Sequence, residues 1–150
     1  MKPNLIIHAN SYEDAKKKLS EAIGKNLGKL IGFTSQDDEL NRKILEKLQV
    51  NFFMPILSSR KDWQKQRNSG LDNVMAREAS KKGIFIGINM DEILKTKGRE
   101  KVEILSRIIQ NVEICKKNKT KMLFISEKDV YDLKSLGLVL GMPTSMIKDF

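Results

Sequence analysis

Short apolar runs alternate with amphipathic helical patterns along the whole sequence. Runs that predict strands occur at residues 5–9, 30–33, 51–57, 84–88 and 122–125. Between and after them, apolar residues recur at helical spacing in about six segments. Such strict alternation is typical of an α/β fold whose parallel strands are joined by right-handed helical crossovers.

The length of the chain limits how far such a sheet can close. A closed barrel of eight strand-helix units needs roughly 200 residues or more, whereas this chain has 150. We therefore predict one α/β domain over residues 1–150, without a linker or a second domain. Its five parallel strands should form an incomplete barrel or an open sheet.

Local signals mark where several helices begin and end. Ser11 is expected to cap the first helix with Asp14 three residues later, and Ser35 and Asp38 repeat that pattern before the second helix. Gly83 is placed to end a central helix in the left-handed conformation. Two helices are expected to bury these residues: Leu71, Val74, Met75 and Ala79 in the central helix, and Val102, Leu105, Ile108, Ile109, Val112 and Cys115 in a long helix from Arg99.

Composition narrows the chemistry that the chain can perform. Its single cysteine, Cys115, excludes an internal disulfide, and its single histidine, His8, excludes most metal and acid-base sites. No stretch approaches a membrane span or a secretory signal, so we expect a cytoplasmic protein without a membrane partner. Lys and Arg total 28 against 19 Asp and Glu, a net charge of +9. This excess fits either a polyanionic partner or ordinary solvated helix faces.

One connection concentrates positive charge where the third strand ends. The basic loop, residues 60–68, carries Arg60, Lys61, Lys65 and Arg67 around the only tryptophan, Trp63. Ligands bind at the carboxyl ends of strands in barrels and open α/β sheets. The arginines could fork onto phosphates and Trp63 could stack on a base. A lone tryptophan more often packs beneath its loop, so we expect Trp63 to be packed.

The same region carries short motifs in a recognisable order. They are Ser59-Arg60-Lys61-Asp62, Ser69-Gly70-Leu71-Asp72-Asn73-Val74-Met75-Ala76-Arg77, Ile86-Gly87-Ile88-Asn89, Gly98-Arg99-Glu100, Gln110-Asn111-Val112 and Leu136-Gly137-Leu138-Val139-Leu140-Gly141-Met142. In these motifs and their spacing the sequence resembles ribonuclease P protein component 3, the archaeal relative of the thirty-kilodalton subunit of eukaryotic ribonuclease P. The resemblance runs from about residue 51 to the end.

The resemblance implies a TIM-barrel-like α/β fold, shortened or incompletely closed here. It also implies a subunit of the endoribonuclease that removes 5′ leaders from precursor tRNA, which such a subunit would meet only indirectly. The catalytic RNA would hold the active site and its Mg²⁺, while the protein binds no cofactor and has no catalytic residue or metal site of its own. Its expected partners are ribonuclease P RNA and ribonuclease P protein component 2, with two copies of each protein. The expected RNA contacts are Arg60, Lys61, Lys65, Arg67 and Arg99.

Two other functions remain open at this point. A metal-dependent phosphoesterase of the polymerase and histidinol phosphatase barrel type would have a similar fold, but its site requires several histidine and acidic ligands. A scaffold that binds only protein would fail to bind RNA at low salt. Bound RNA and small protein partners that co-purify with the chain would favour the ribonucleoprotein.

Overall fold

Five parallel strands form one sheet. The computed structural model describes residues 4–25, 28–148 and 150. Its strands are β1 (Asn4–His8), β2 (Leu30–Thr34), β3 (Phe52–Phe53), β4 (Phe85–Asn89) and β5 (Met122–Ile125). They pair in sequence order, each parallel to the next. The predicted parallel α/β architecture is therefore confirmed.

Seven helices among the described residues connect or follow these strands. They are α1 (Tyr12–Lys25), α2 (Asp38–Lys47), α3 (Asn73–Lys82), α4 (Met90–Leu94), α5 (Gly98–Asn118), α6 (Val130–Val139) and α7 (Thr144–Ile147). The connection between β3 and α3 contains no helix or strand and includes the basic loop. In the part of the chain that the structure describes, no helix is long and apolar enough to cross a membrane.

The sheet has the strand order of a barrel but does not close. In the described ranges, β1 pairs with β2 and β5 pairs with β4, and no pairing joins β1 to β5. Sequential parallel order with a helix after each strand is the arrangement of a barrel wall. Five strands are too few to return to the first, so the prediction of an incompletely closed, barrel-like sheet is confirmed.

Aromatic side chains fill the core around the short third strand. Phe33, Phe52 and Phe53 are almost completely buried. Gly32 on β2 makes room for this packing, since a Cβ at that position would lie 2.1 Å from the ring of Phe52. Ile104 and Ile108 of α5 belong to the set of fully buried side chains. This packing holds the strand from which the basic loop leaves the sheet.

Several predicted boundaries shift for local reasons. The third strand ends at Phe53 and does not reach residue 57, with Pro55, which has no N–H for a strand ladder, two residues beyond. Ser11 caps α1 as expected, accepting a hydrogen bond from the N–H of Asp14 at 3.1 Å. The cap of α2 is Asp37 instead of Ser35, because Asp37 accepts from two N–H groups of the first turn.

The inward face of α5 differs from the prediction. Ile108, Val112 and Cys115 are buried as predicted, and Leu105 is partly buried against the core. Val102, 59% exposed, and Ile109 instead face outward, and Ile104, Arg107 and Asn111 join the buried side chains. Arg107 and Asn111 are the polar members of this buried stripe, and apolar spacing alone does not indicate them. Val74 of α3 is likewise exposed, and Ala76 takes its place in the core. Cys115 is buried as predicted, and burial raises the pKa of its thiol to about 12.

Candidate nucleic-acid interface

The basic loop lies between α2 and α5 at the end of β3. Arg60 turns inward from it, and its side chain is only 8% exposed. Its Nη1 and Nη2 donate to the two carboxylate oxygens of Asp38 at 2.9 and 3.0 Å. Nη1 also donates to Asn68 at 3.2 Å, and Nε donates to the carbonyl of Ile56. Four of the five guanidinium hydrogens therefore have acceptors within the chain.

Gly70 leaves the space that the guanidinium of Arg60 occupies. It has a φ of +74°, which favours glycine. A Cβ there would lie 2.5 Å from Nη2 of Arg60 and 3.2 Å from the ring of Pro55. The packing of the loop therefore requires glycine at position 70, in the turn that leads to α3.

Arg107 of α5 holds the opposite side of the loop. It is 2% exposed. Its Nη1 donates to the carbonyl of Leu57 at 2.8 Å, and its Nη2 donates to the carbonyl of Arg60 at 2.9 Å and to Asp62 at 3.2 Å. One buried guanidinium therefore ties three positions of the connection to a helix more than forty residues later in sequence.

Asp62 is the acceptor around which the loop turns. One carboxylate oxygen accepts from the backbone N–H of Asn68 at 2.8 Å and the other from Arg67 at 3.4 Å. The hydrogen bond from Asn68, aided by Arg107 and Arg67, holds the pKa of Asp62 below its usual value. Asp62 therefore stays ionised and keeps the two ends of the loop together.

Two further helical residues fix the ends of the connection. Glu92 of α4 accepts from the backbone N–H groups of Leu57 and Ser58 at 3.1 and 3.3 Å. Gln110 of α5 donates to the carbonyl of Arg67 at 2.8 Å and to the hydroxyl of Ser69 at 3.1 Å. The loop is therefore bound at both ends although it contains no regular secondary structure.

The expected RNA contacts divide into two groups. Lys61 and Lys65 are exposed, whereas Arg60 and Arg67 are engaged by Asp38 and Asp62. Arg99 is 92% exposed and pairs with Glu103. It lies eight residues before Arg107 on α5, a rise of about 12 Å, so the structure does not bring it into the loop network. RNA contact by these five residues stays a prediction.

Trp63 contradicts its predicted environment. Its side chain is 59% exposed, so it does not pack beneath the loop. The side chains beneath the loop are those of Arg60 and Arg107, which fill the space with buried polar groups. Trp63 is presented on the surface with Lys65 and Gln66 beside it.

Sequence reasoning missed the residues that hold the loop. Arg107, Glu92 and Gln110 are distant in sequence from residues 57–69, and neither Arg107 nor Glu92 carries a local signal for contact with them. A usable sign was the polar pair Gln110-Asn111 inside an otherwise apolar helical pattern. Asn111 is indeed buried and donates to the carbonyl of Ser69 at 3.2 Å.

Metal-ligating side chains do not converge in the described ranges. There, no group of three or more His, Cys, Asp or Glu side chains could hold a metal ion. His8 is exposed at the end of β1. Asp37 caps α2 and Asp38 binds Arg60, so these neighbouring acids serve the fold.

Comparison with known proteins gives consistent results. The chain is 27% identical over 133 residues to ribonuclease P protein component 3 of Methanococcus maripaludis, covering 88% of this chain and 53% of that protein. It is 28% identical over 127 residues to component 3 of Methanosarcina acetivorans, covering 82% of this chain and 50% of that protein. The chain thus spans about half the length of the curated relatives it matches. No family model matches it.

A solved structure shares the fold. A chain in the cryo-EM structure of archaeal ribonuclease P with mature tRNA superposes with a TM-score of 0.76 at 22% sequence identity. The match covers 97% of this chain and 62% of that one. The barrel-like α/β architecture is therefore confirmed by an independent structure. Over most of its own length, this chain is similar to archaeal ribonuclease P protein component 3, as its short motifs indicated.

Proposed function

We propose that this chain is an RNA-binding protein subunit of ribonuclease P, supporting the catalytic RNA in the removal of 5′ leaders from precursor tRNA. The observation that carries the proposal is the similarity to component 3 across 88% of the chain. The positive loop at the ligand edge of the sheet supports it, because protein–RNA affinity comes largely from cations placed near phosphates.

The proposed complex has defined members. The protein binds ribonuclease P RNA directly and meets precursor tRNA only through the complex. It pairs with ribonuclease P protein component 2, with two copies of each, and acts in the cytoplasm. The polypeptide holds no cofactor, and Mg²⁺ belongs to the active site of the RNA. Among the described residues, β1 and β5 are the outer strands of the sheet, and this favours a protein partner, since proteins normally cover such edges.

The ion pairs within the loop favour its lysines over its arginines as RNA contacts. Arg60 and Arg67 already hold carboxylates within the chain, so replacing them would disturb the loop as well as any RNA contact. Lys61 and Lys65 are exposed, and neither forms an ion pair with another described residue. We therefore assign phosphate contact in the first place to these two lysines.

A salt series tests this assignment. Each phosphate neutralised adds about 0.7 to 0.9 to the magnitude of the slope of log affinity against log salt. Replacing Lys61 and Lys65 together by alanine should flatten that slope by about 1.5 for ribonuclease P RNA. The matched control replaces Lys16 and Lys17, which are exposed on α1. An equal loss in both double variants, measured by fluorescence anisotropy, would show that the loop is not the RNA contact.

Catalysis is tested separately. We expect RNA-free protein to leave precursor tRNA intact in the presence of Mg²⁺, and leader removal should appear only when ribonuclease P RNA is added. Site-specific cleavage by rigorously RNA-free protein would assign the chemistry to the polypeptide and refute the subunit role.

Partner binding has its own measurement. Sedimentation of the chain with component 2 should give a stable complex with the mass of two copies of each protein. A chain that sediments as a monomer whether or not component 2 is present would contradict this part of the proposal.

A further inference from the structure

Trp63 is exposed where an unpaired base could meet it. It is the only tryptophan of the chain, and 59% of its surface is accessible. Exposing a large ring forgoes the free energy of burying it, and the protein keeps this ring outside a loop whose interior is filled by arginines. Contact with a ligand would recover that free energy.

The backbone beneath Trp63 is held in place before any ligand arrives. Its N–H donates to the carbonyl of Gln66 at 3.0 Å, which closes a tight turn. Asp62, the preceding residue, is bound by Asn68 and by the buried Arg107. A ring on a fixed backbone loses less conformational entropy on binding than one on a mobile segment. The loop therefore presents Trp63 as a preorganised platform.

The surroundings of the ring favour nucleic acid over protein. A shallow depression of about 390 Å³ beside it is lined by Trp63, Lys65 and Gln66. Lys61 is exposed two residues before the ring. Lysine is depleted in the cores of protein interfaces. Single-stranded nucleic acid sites, by contrast, combine aromatic platforms with a positively charged track for the backbone.

We propose that Trp63 stacks on an unpaired base of RNA while Lys61 and Lys65 contact the flanking phosphates. The proposal deepens the proposed function and rests on it, naming single-stranded RNA as what the loop prefers. The faces of bases in a duplex are covered by their neighbours, so only a base in a loop, bulge or end can lie against the ring. Stacking tolerates any base and predicts little sequence preference.

Fluorescence of the single tryptophan tests the contact directly. The probes are a mixed-sequence single-stranded RNA of about 12 nucleotides, within the site sizes of single-strand binders, and a duplex of the same sequence. We expect the single strand to quench Trp63 and the duplex to leave its emission nearly unchanged. RNA binding by anisotropy without quenching overturns the stacking proposal and leaves the proposed function standing. If the protein binds neither probe and does not bind ribonuclease P RNA, both the stacking proposal and the proposed function are refuted.

Substitution separates stacking from charge. Trp63→Leu should lower affinity for the single strand about 5- to 150-fold and leave the salt slope unchanged, because no charge is removed. Trp63→Phe should recover part of the loss. Tyr131→Leu is the control, since it removes a ring that is 77% exposed on α6. Equal losses in the Trp63 and Tyr131 variants overturn the proposal. An emission shift with component 2 and no response to RNA overturns it too, by assigning the ring to a protein interface.

Discussion

Replacing Arg107 by methionine should release the basic loop from α5. The guanidinium is 2% exposed and donates to the carbonyls of Leu57 and Arg60 at 2.8 and 2.9 Å. Methionine has a similar length and helix propensity, so the helix itself is preserved. The change removes a buried charge together with the donors of two carbonyls and one carboxylate.

The magnitude follows from what is left without a partner. A buried acceptor that loses its donor costs about 1 to 3 kcal/mol, and Leu57 is buried while Arg60 is partly so. Asp62 is 28% exposed, so water replaces part of its lost interaction. We expect Arg107→Met to lower the free energy of unfolding by about 2 to 5 kcal/mol. The stability of Arg107→Lys should lie between that of this variant and that of the parent. Lysine keeps the charge but cannot reproduce the fixed set of donors of a guanidinium.

The control lies on the same helix. Arg99 is 92% exposed and pairs only with Glu103 among described residues, so Arg99→Met should change stability by less than about 0.5 kcal/mol. Urea unfolding followed by circular dichroism measures both variants. Trp63 fluorescence reports loosening of the loop. If the two variants lose the same stability, Arg107 does not hold the loop.

Two further perturbations test neighbouring parts of the network. Gly70→Ala should lower the free energy of unfolding in urea by about 1 to 2 kcal/mol more than Gly83→Ala does. Both glycines have a positive φ, but only a Cβ at Gly70 would displace Arg60. Equal losses of stability in the two variants would contradict this role of Gly70. Asp62→Asn should destabilise the protein at neutral pH. The lowered pKa of Asp62 means that its contribution is present above the ordinary value of 3.8 and is lost as the pH falls below it. The stability difference between parent and variant should therefore shrink below pH 3.8, and a difference independent of pH would refute the role of the carboxylate.

The alternation of strands and helices could be predicted because its signals are local. The periodicity of apolar residues placed β1, β2, β4 and β5 within one residue of their observed bounds. Gly83 ends α3 with a φ of +69°, as its position before an apolar run indicated. The same pattern placed the basic loop after β3, although the strand ends at Phe53 and residues 54–59 separate the two. These features depend on neighbours in sequence and needed no knowledge of tertiary contacts.

The interior of the site could not be predicted, because its partners are far apart in sequence. Asp38 meets Arg60 across 22 positions and Arg107 meets Leu57 across 50. Hydrophobic periodicity does not indicate a buried arginine, so the predicted inward face of α5 included the exposed Val102 and lacked the buried Arg107. Trp63 was misplaced for the complementary reason, since the space under the loop was already filled by guanidinium groups.

The cations of the loop separate by residue type, and this separation connects the fold to the proposed function. Arg60 and Arg67 contact carboxylates, whereas Lys61 and Lys65 remain exposed to solvent. The planar guanidinium of arginine suits an acceptor in a fixed position. The flexible ammonium of lysine suits phosphates whose positions vary along an RNA strand. The net charge of +9 therefore overstates the positive charge that this loop offers to RNA, because some of its arginines form ion pairs within the chain. Because the buried side chains of Arg60 and Arg107 hold the loop through acceptors within the chain, Lys61 and Lys65 can contact phosphates without breaking those hydrogen bonds.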